Sequence, residues 1–170
     1  MNPLNPRNET LLFQFDMTWA LATYHLPRLN EQNMFWEPSP HAWTIRQGAD
    51  GLWRPDFAET EPIPLPTPTA AWVLWQIRWW WTGALQAAEG KPLPGVHEVE
   101  PFGTAAMAEK EIAALAQTWR HKLQTADLDV KVQHLWAEPT PLWQTAAWLN
   151  AELMKNVSEV GNLITLFEAR

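Results

Sequence analysis

Trp72-Val73-Leu74-Trp75-Gln76-Ile77-Arg78-Trp79-Trp80-Trp81 sets five tryptophans in ten residues and interrupts them with only two polar side chains, Gln76 and Arg78. Thr67-Pro68 precedes the block and Gly90 follows it. Threonine then proline is the pattern of a helix N-cap and first helical residue, and glycine suits the residue after a helix end. Together they predict a helix over 67–89. Positions three and four apart share a helix face, so Gln76 falls on the face of Trp72, Trp79 and Trp80. A buried amide without partners costs about 1–3 kcal/mol, so Gln76 requires company. A bilayer span needs about 20 predominantly apolar residues. This block is shorter and carries Gln76 and Arg78, which makes it a buried helix and predicts no membrane association.

Three further helices surround it. The first is expected from about Glu9 to Leu29, with Leu12, Phe15, Trp19, Ala22 and Leu26 at helical spacing, Asn8 as N-cap, and Pro27 ending or bending it. The third is expected over 104–125, with the stripe Met107, Ile112, Leu115, Trp119 and Leu123. The fourth is expected to start at Thr140-Pro141 and run to about Glu168. Its apolar seam of Leu149, Leu153, Val160, Leu163 and Phe167 is interrupted by Asn156. Between the first two helices lies an irregular stretch, 30–66, with six prolines. It also carries Phe35, Trp36, Trp43, Trp53 and Phe57, too many rings to leave in water. It therefore reads as an ordered loop folded back over the helices, with Asp50-Gly51 forming a tight turn. The fold class is all-α: one domain over 1–170, a four-helix bundle with a long ordered loop between helices 1 and 2.

Gln76 and Asn156 are both amides at apolar helix positions, with Glu152, Lys155 and Glu159 flanking the second. Either they fix helix register by bonding each other, a backbone group or a buried water, or they line a pocket between the second and fourth helices. The candidate pocket residues are Gln76, Asn156, Glu159, Lys155, Glu152, Trp72, Trp79, Trp80 and, from the covering loop, His41. Histidine, cysteine and carboxylate are the ligands that zinc and nickel favour. No two of His25, His41, His97, His121 and His134 stand three or four apart, there is no cysteine, and only Glu159 is a candidate metal ligand. No metal or other cofactor is expected from these residues.

The remaining chemistry narrows by exclusion. A length of 170 residues and 46% apolar content fit one globular domain. The net charge of -7 and the absence of a basic cluster exclude a nucleic-acid surface. No glycine-rich phosphate loop or nucleophile elbow occurs, and Ser39 and Ser158 have no histidine beside them. Met1 to Pro6 lacks the regions of a signal peptide, so a cytoplasmic location is expected.

The block Trp72 to Ile77 with its following tryptophans resembles the second helix of DinB/YfiT-like proteins. Leu149 to Gly161 is similar to that family's last helix, and Glu31 to Trp43 to the segment after its first. The resemblance spans nearly the whole chain. It implies a four-helix bundle with a long crossover, commonly dimeric, in which three histidines hold a divalent metal, often zinc or nickel. It also implies kinship with thiol-dependent S-transferases and isomerases that use bacillithiol or mycothiol. Here Gln76 stands where the helix-two histidine would be, Lys155 or Asn156 at the first helix-four position, and Glu159 at the second. The expected function is small-molecule binding at a degenerate metal site. The alternative is a zinc- or nickel-dependent thiol transferase whose modified site uses Glu159 with His41. A homodimer buried by surplus tryptophans is compatible with either.

Overall fold

Proline and threonine pairs, loop carbonyls and a few amides decide where the helices of this chain begin. In the computed structural model, which describes residues 5–170, the order is α1 (Pro6–His25), a 3-10 turn (Leu26–Arg28), α2 (Glu31–Met34), β1 (Ala42–Trp43), β2 (Ile45–Gln47), β3 (Trp53–Pro55), β4 (Thr67–Pro68), α3 (Ala70–Ala88), α4 (Ala105–Thr125), β5 (Lys131–Val132), β6 (Thr140–Pro141) and α5 (Leu142–Glu168). Met1 to Leu4, part of the N-terminal run that lacks signal-peptide regions in sequence, lie outside the described residues.

The described residues are helix-rich, with four long α-helices and one single-turn α-helix. Helix α1 packs on α4 and α5, and α3 packs on the same two, so the four long helices close a ring around one apolar cluster. Trp75, Trp81, Trp119, Phe15, Leu74 and Ile112 are among its fully buried side chains. On α5 the expected seam is buried from Leu149 to Leu163, Asn156 included, while Phe167 is half-buried against the edge of Trp36. On α4 the stripe departs at one end, because Met107 is 45% exposed and Ala105 and Ala108 face the core instead.

Three helix starts differ from expectation. Helix α1 is capped by Asn5, whose side chain accepts from the Arg7 N–H, and not by Asn8. Asn8 lies one turn inside and is buried. Its amide donates to the Leu123 and Ala126 carbonyls at 3.1 and 3.4 Å, fastening α1 to the end of α4. Thr67-Pro68 is strand β4, parallel to β1, and Thr69 caps α3 by accepting from the Trp72 N–H. Thr140-Pro141 is strand β6, paired with β5. Helix α5 has no side-chain cap, and its first N–H groups donate to Val130 and Leu128 carbonyls. A residue before proline is held extended, so both Thr-Pro pairs pass the chain into a helix as short strands.

The long loop is ordered. Met34 and Ile45 reach the core, Phe35 stacks on Trp53, and β2 and β3 form a hairpin. Gly51 turns that hairpin at φ 81°, a left-handed conformation that glycine adopts freely. Asp50 accepts from both Arg54 and the Leu52 N–H, which holds its carboxyl well below the usual carboxylate range.

Candidate binding cleft

Three indole N–H groups on α3 are tied to loop carbonyls. Trp72 donates to Asp56 at 2.8 Å, Trp75 to Val99 at 2.9 Å and Trp79 to Pro94 at 2.9 Å. The acceptors lie in two different loops, so both segments are drawn onto the same helix. Around these anchors the rings stack in series. Trp43 lies on Trp72 with centroids 5.2 Å apart, Trp75 on Trp79 at 5.4 Å, and Trp79 on Trp80 at 4.3 Å, while the Phe57 edge meets Trp79. Asp56, which receives Trp72, is itself fixed. Its carboxylate accepts from the Thr44 N–H and from Arg46, and its N–H donates to the Thr44 carbonyl.

The result is a cleft of about 280 Å³ between α3 and the loop. Trp72, Trp75, Gln76, Trp79 and Trp80 form the helix wall, and Trp43, Phe57, Ala58, Glu59 and Glu61 the loop wall. Such a volume sits at the small end of ligand sites, which are typically apolar with a few placed polar groups. Gln76 is half-buried in the helix wall, and no hydrogen bond engages its amide among the described residues. Glu59 and Glu61 are exposed at the loop wall and form no ion pair among the described residues.

The predicted pocket residues fall in three places. Gln76, Trp72, Trp79 and Trp80 line this cleft. Asn156 and Glu152 face a second space, between α3 and α5, together with Ile77, Trp80, Trp81, Leu149 and Leu153. That space is only about 10 Å³, the room of one water. The Asn156 carbonyl oxygen is buried there without a partner, and no hydrogen bond joins it to Gln76. The roomy site thus lies between α3 and the loop, with bulky Trp80 and Trp81 filling the gap between α3 and α5. Trp80 alone lines both spaces, and its N–H is buried without an acceptor.

Lys155, Glu159 and His41 line neither space. Lys155 is exposed and paired with Glu152 at 2.7 Å. Glu159 is half-buried. Burial pushes its carboxyl above the ordinary range, Lys155 opposes that, and the Glu152 charge adds to it. His41 is exposed, with its ring Nε2 3.1 Å from the Pro64 carbonyl oxygen. Among the described residues no three histidine, aspartate or glutamate side chains gather to hold an ion. The donor set at the expected ion position is an orphaned amide oxygen and a half-buried carboxylate, which does not fit a three-histidine grip.

The loop wall is what the sequence left unread. Trp43 and Phe57 carried a signal, as rings that water would not tolerate, but Ala58, Glu59 and Glu61 carried none. His134, one of the five histidines, carries no sequence signal of its burial. It is 5% exposed between Trp136 and Trp148, neither ring nitrogen has a partner, and burial lowers its pKa to about 4. No helix among the described residues is long and apolar enough to cross a membrane. No family model, curated protein or solved structure matches the chain.

Proposed function

We propose that this chain is a DinB-like four-helix bundle that binds a small molecule in the cleft between α3 and its long loop, with the family's ion-binding position degenerate. The observation that carries this is the preorganised aromatic wall. Trp72, Trp75 and Trp79 are each pinned by an N–H to a loop carbonyl, so little side-chain freedom remains to be lost when a ligand arrives. Gln76 offers a free amide in the middle of that wall, a donor and an acceptor for orienting a ligand. The donor chemistry of Gln76, Asn156 and Glu159 supports the loss of the metal, since amide oxygens are weak ligands for zinc or nickel.

A fragment screen on protein labelled with 5-fluorotryptophan tests the binding reading. Hits are expected to shift the ¹⁹F resonances of Trp79 and Trp80 and to leave that of Trp119, buried on α4, in place. A screen whose hits move none of the cleft tryptophans overturns it. The degenerate metal position has its own check. Protein equilibrated with zinc or nickel and then desalted is expected to retain a substoichiometric amount. One ion per chain, lost in Glu159→Gln, contradicts it.

A homodimer belongs to the same proposal, but the tryptophans are not what it would bury. Of the 13, only Trp136 is exposed, at 36%, and the others are at least half covered within one chain. The apolar side chains left outside on α1 and α5 are Phe13, Met17, Tyr24, Met154 and Leu166, and these supply the face for a second copy.

A further inference from the structure

We propose that the ligand of the α3–loop cleft is a small organic cation, an alkylammonium held against aromatic rings and countered by Glu59 and Glu61. This rests on the reading of the cleft as a ligand site and names the chemistry it selects. Six aromatic side chains line the cleft, Trp43, Phe57, Trp72, Trp75, Trp79 and Trp80, and electron-rich ring faces attract cations. Among the described residues, the only charged ones on its walls are Glu59 and Glu61. Neither is neutralised by a lysine or arginine among the described residues. An anion would meet two carboxylates and no donor stronger than the Gln76 amide. A neutral ligand would leave those carboxylates uncompensated beside it. A cation uses the rings for its apolar shell, the carboxylates for its charge, and the Gln76 oxygen as acceptor for a ligand N–H or O–H. The chain's net charge of -7 draws cations toward it at longer range.

Charge and shape are separated by a matched pair of probes. Choline and 3,3-dimethyl-1-butanol share a shape and differ by one positive charge. Titrated into 5-fluorotryptophan-labelled protein at low salt, choline is expected to shift the Trp79 and Trp80 resonances with about tenfold higher affinity than the alcohol, equivalent to about 1.4 kcal/mol. The double variant Glu59→Gln, Glu61→Gln changes two exposed loop side chains and leaves the packed rings alone. It is expected to weaken choline severalfold and leave the alcohol unchanged. Molar salt should shrink the preference in the wild type, because exposed charges are screened.

Equal binding of both probes at the cleft overturns the cation and leaves the small-molecule reading standing. So does binding of neutral fragments where choline fails. Choline affinity indifferent to the double variant removes Glu59 and Glu61 from the proposal and overturns it in this form. Absence of any cleft binder, charged or neutral, overturns both readings together.

Discussion

Asn156 sits where a leucine would continue the α5 seam, and its carbonyl oxygen is buried without a partner beside a space for one water. An unsatisfied buried polar group costs on the order of 1–3 kcal/mol. Asn156→Leu is therefore expected to stabilise the fold by about 1 kcal/mol in urea unfolding. A loss of stability of that size would mean that the amide has a partner and holds the helices in register. Glu159 and His134 respond to pH in opposite senses. Burial raises the Glu159 carboxyl in the folded state. The fold then holds its proton longer than the unfolded chain, and stability falls as pH rises from the ordinary glutamate value through the raised one. Glu159→Gln should raise the melting temperature at pH 8 and lose that advantage near pH 4; an equal gain at both would contradict the cause. His134 is lowered from 6.5 to about 4 by burial. Its contribution is complete above the unfolded value and is lost as pH falls from 6.5 toward 4, on the order of 3 kcal/mol across the window. His134→Phe should therefore narrow the acid-induced drop in melting temperature relative to the wild type. An unchanged profile would show that His134 finds a proton acceptor in the fold.

At the scale of elements, the start of α3 separates two threonines that look alike in sequence. Thr69 accepts from the Trp72 N–H and donates to the Thr44 hydroxyl, while Thr67 uses its backbone in a strand pair and has an exposed side chain. Thr69→Ala should cost about 0.5–2 kcal/mol, as the loss of a helix cap does. Thr67→Ala should stay within about 0.5 kcal/mol, as exposed substitutions do. The reverse order in chemical denaturation would restore Thr67 as the cap. This pair also marks how far local pattern carries. Thr104 and Gly90 are legible as helix boundaries because their partners, the Met107 N–H and the Ala87 carbonyl, lie within a turn. The Thr-Pro pairs mislead because each proline holds its threonine extended, and partners beyond the local turn, the His41 carbonyl for Thr67 and the β5 strand for Thr140, make that extended pair a strand and not a cap. The cleft divides along the same line. Helical period places Trp72, Gln76, Trp79 and Trp80 on one wall. The opposite wall, Phe57 to Glu61, has no period, and contacts distant in sequence set it in place: the carbonyl of Asp56 accepting from Trp72 and the Phe57 edge against Trp79.

For the whole molecule, the tryptophan surplus is absorbed by one chain's core and cleft, so the proposed dimer would draw on other side chains. If the α1–α5 face pairs two copies, Phe13→Glu with Met17→Glu should convert a dimer to a monomer in light scattering without lowering the melting temperature of the monomer. Wild-type protein that scatters as a monomer at high concentration refutes the dimer outright. The ligand site is the larger question, and a crystal structure of the protein with its tightest fragment bound addresses it most directly. Density is predicted between α3 and the loop, against Trp72, Gln76 and Trp79. Density between α3 and α5 beside Asn156 and Glu159, whether ligand or metal ion, would contradict the account.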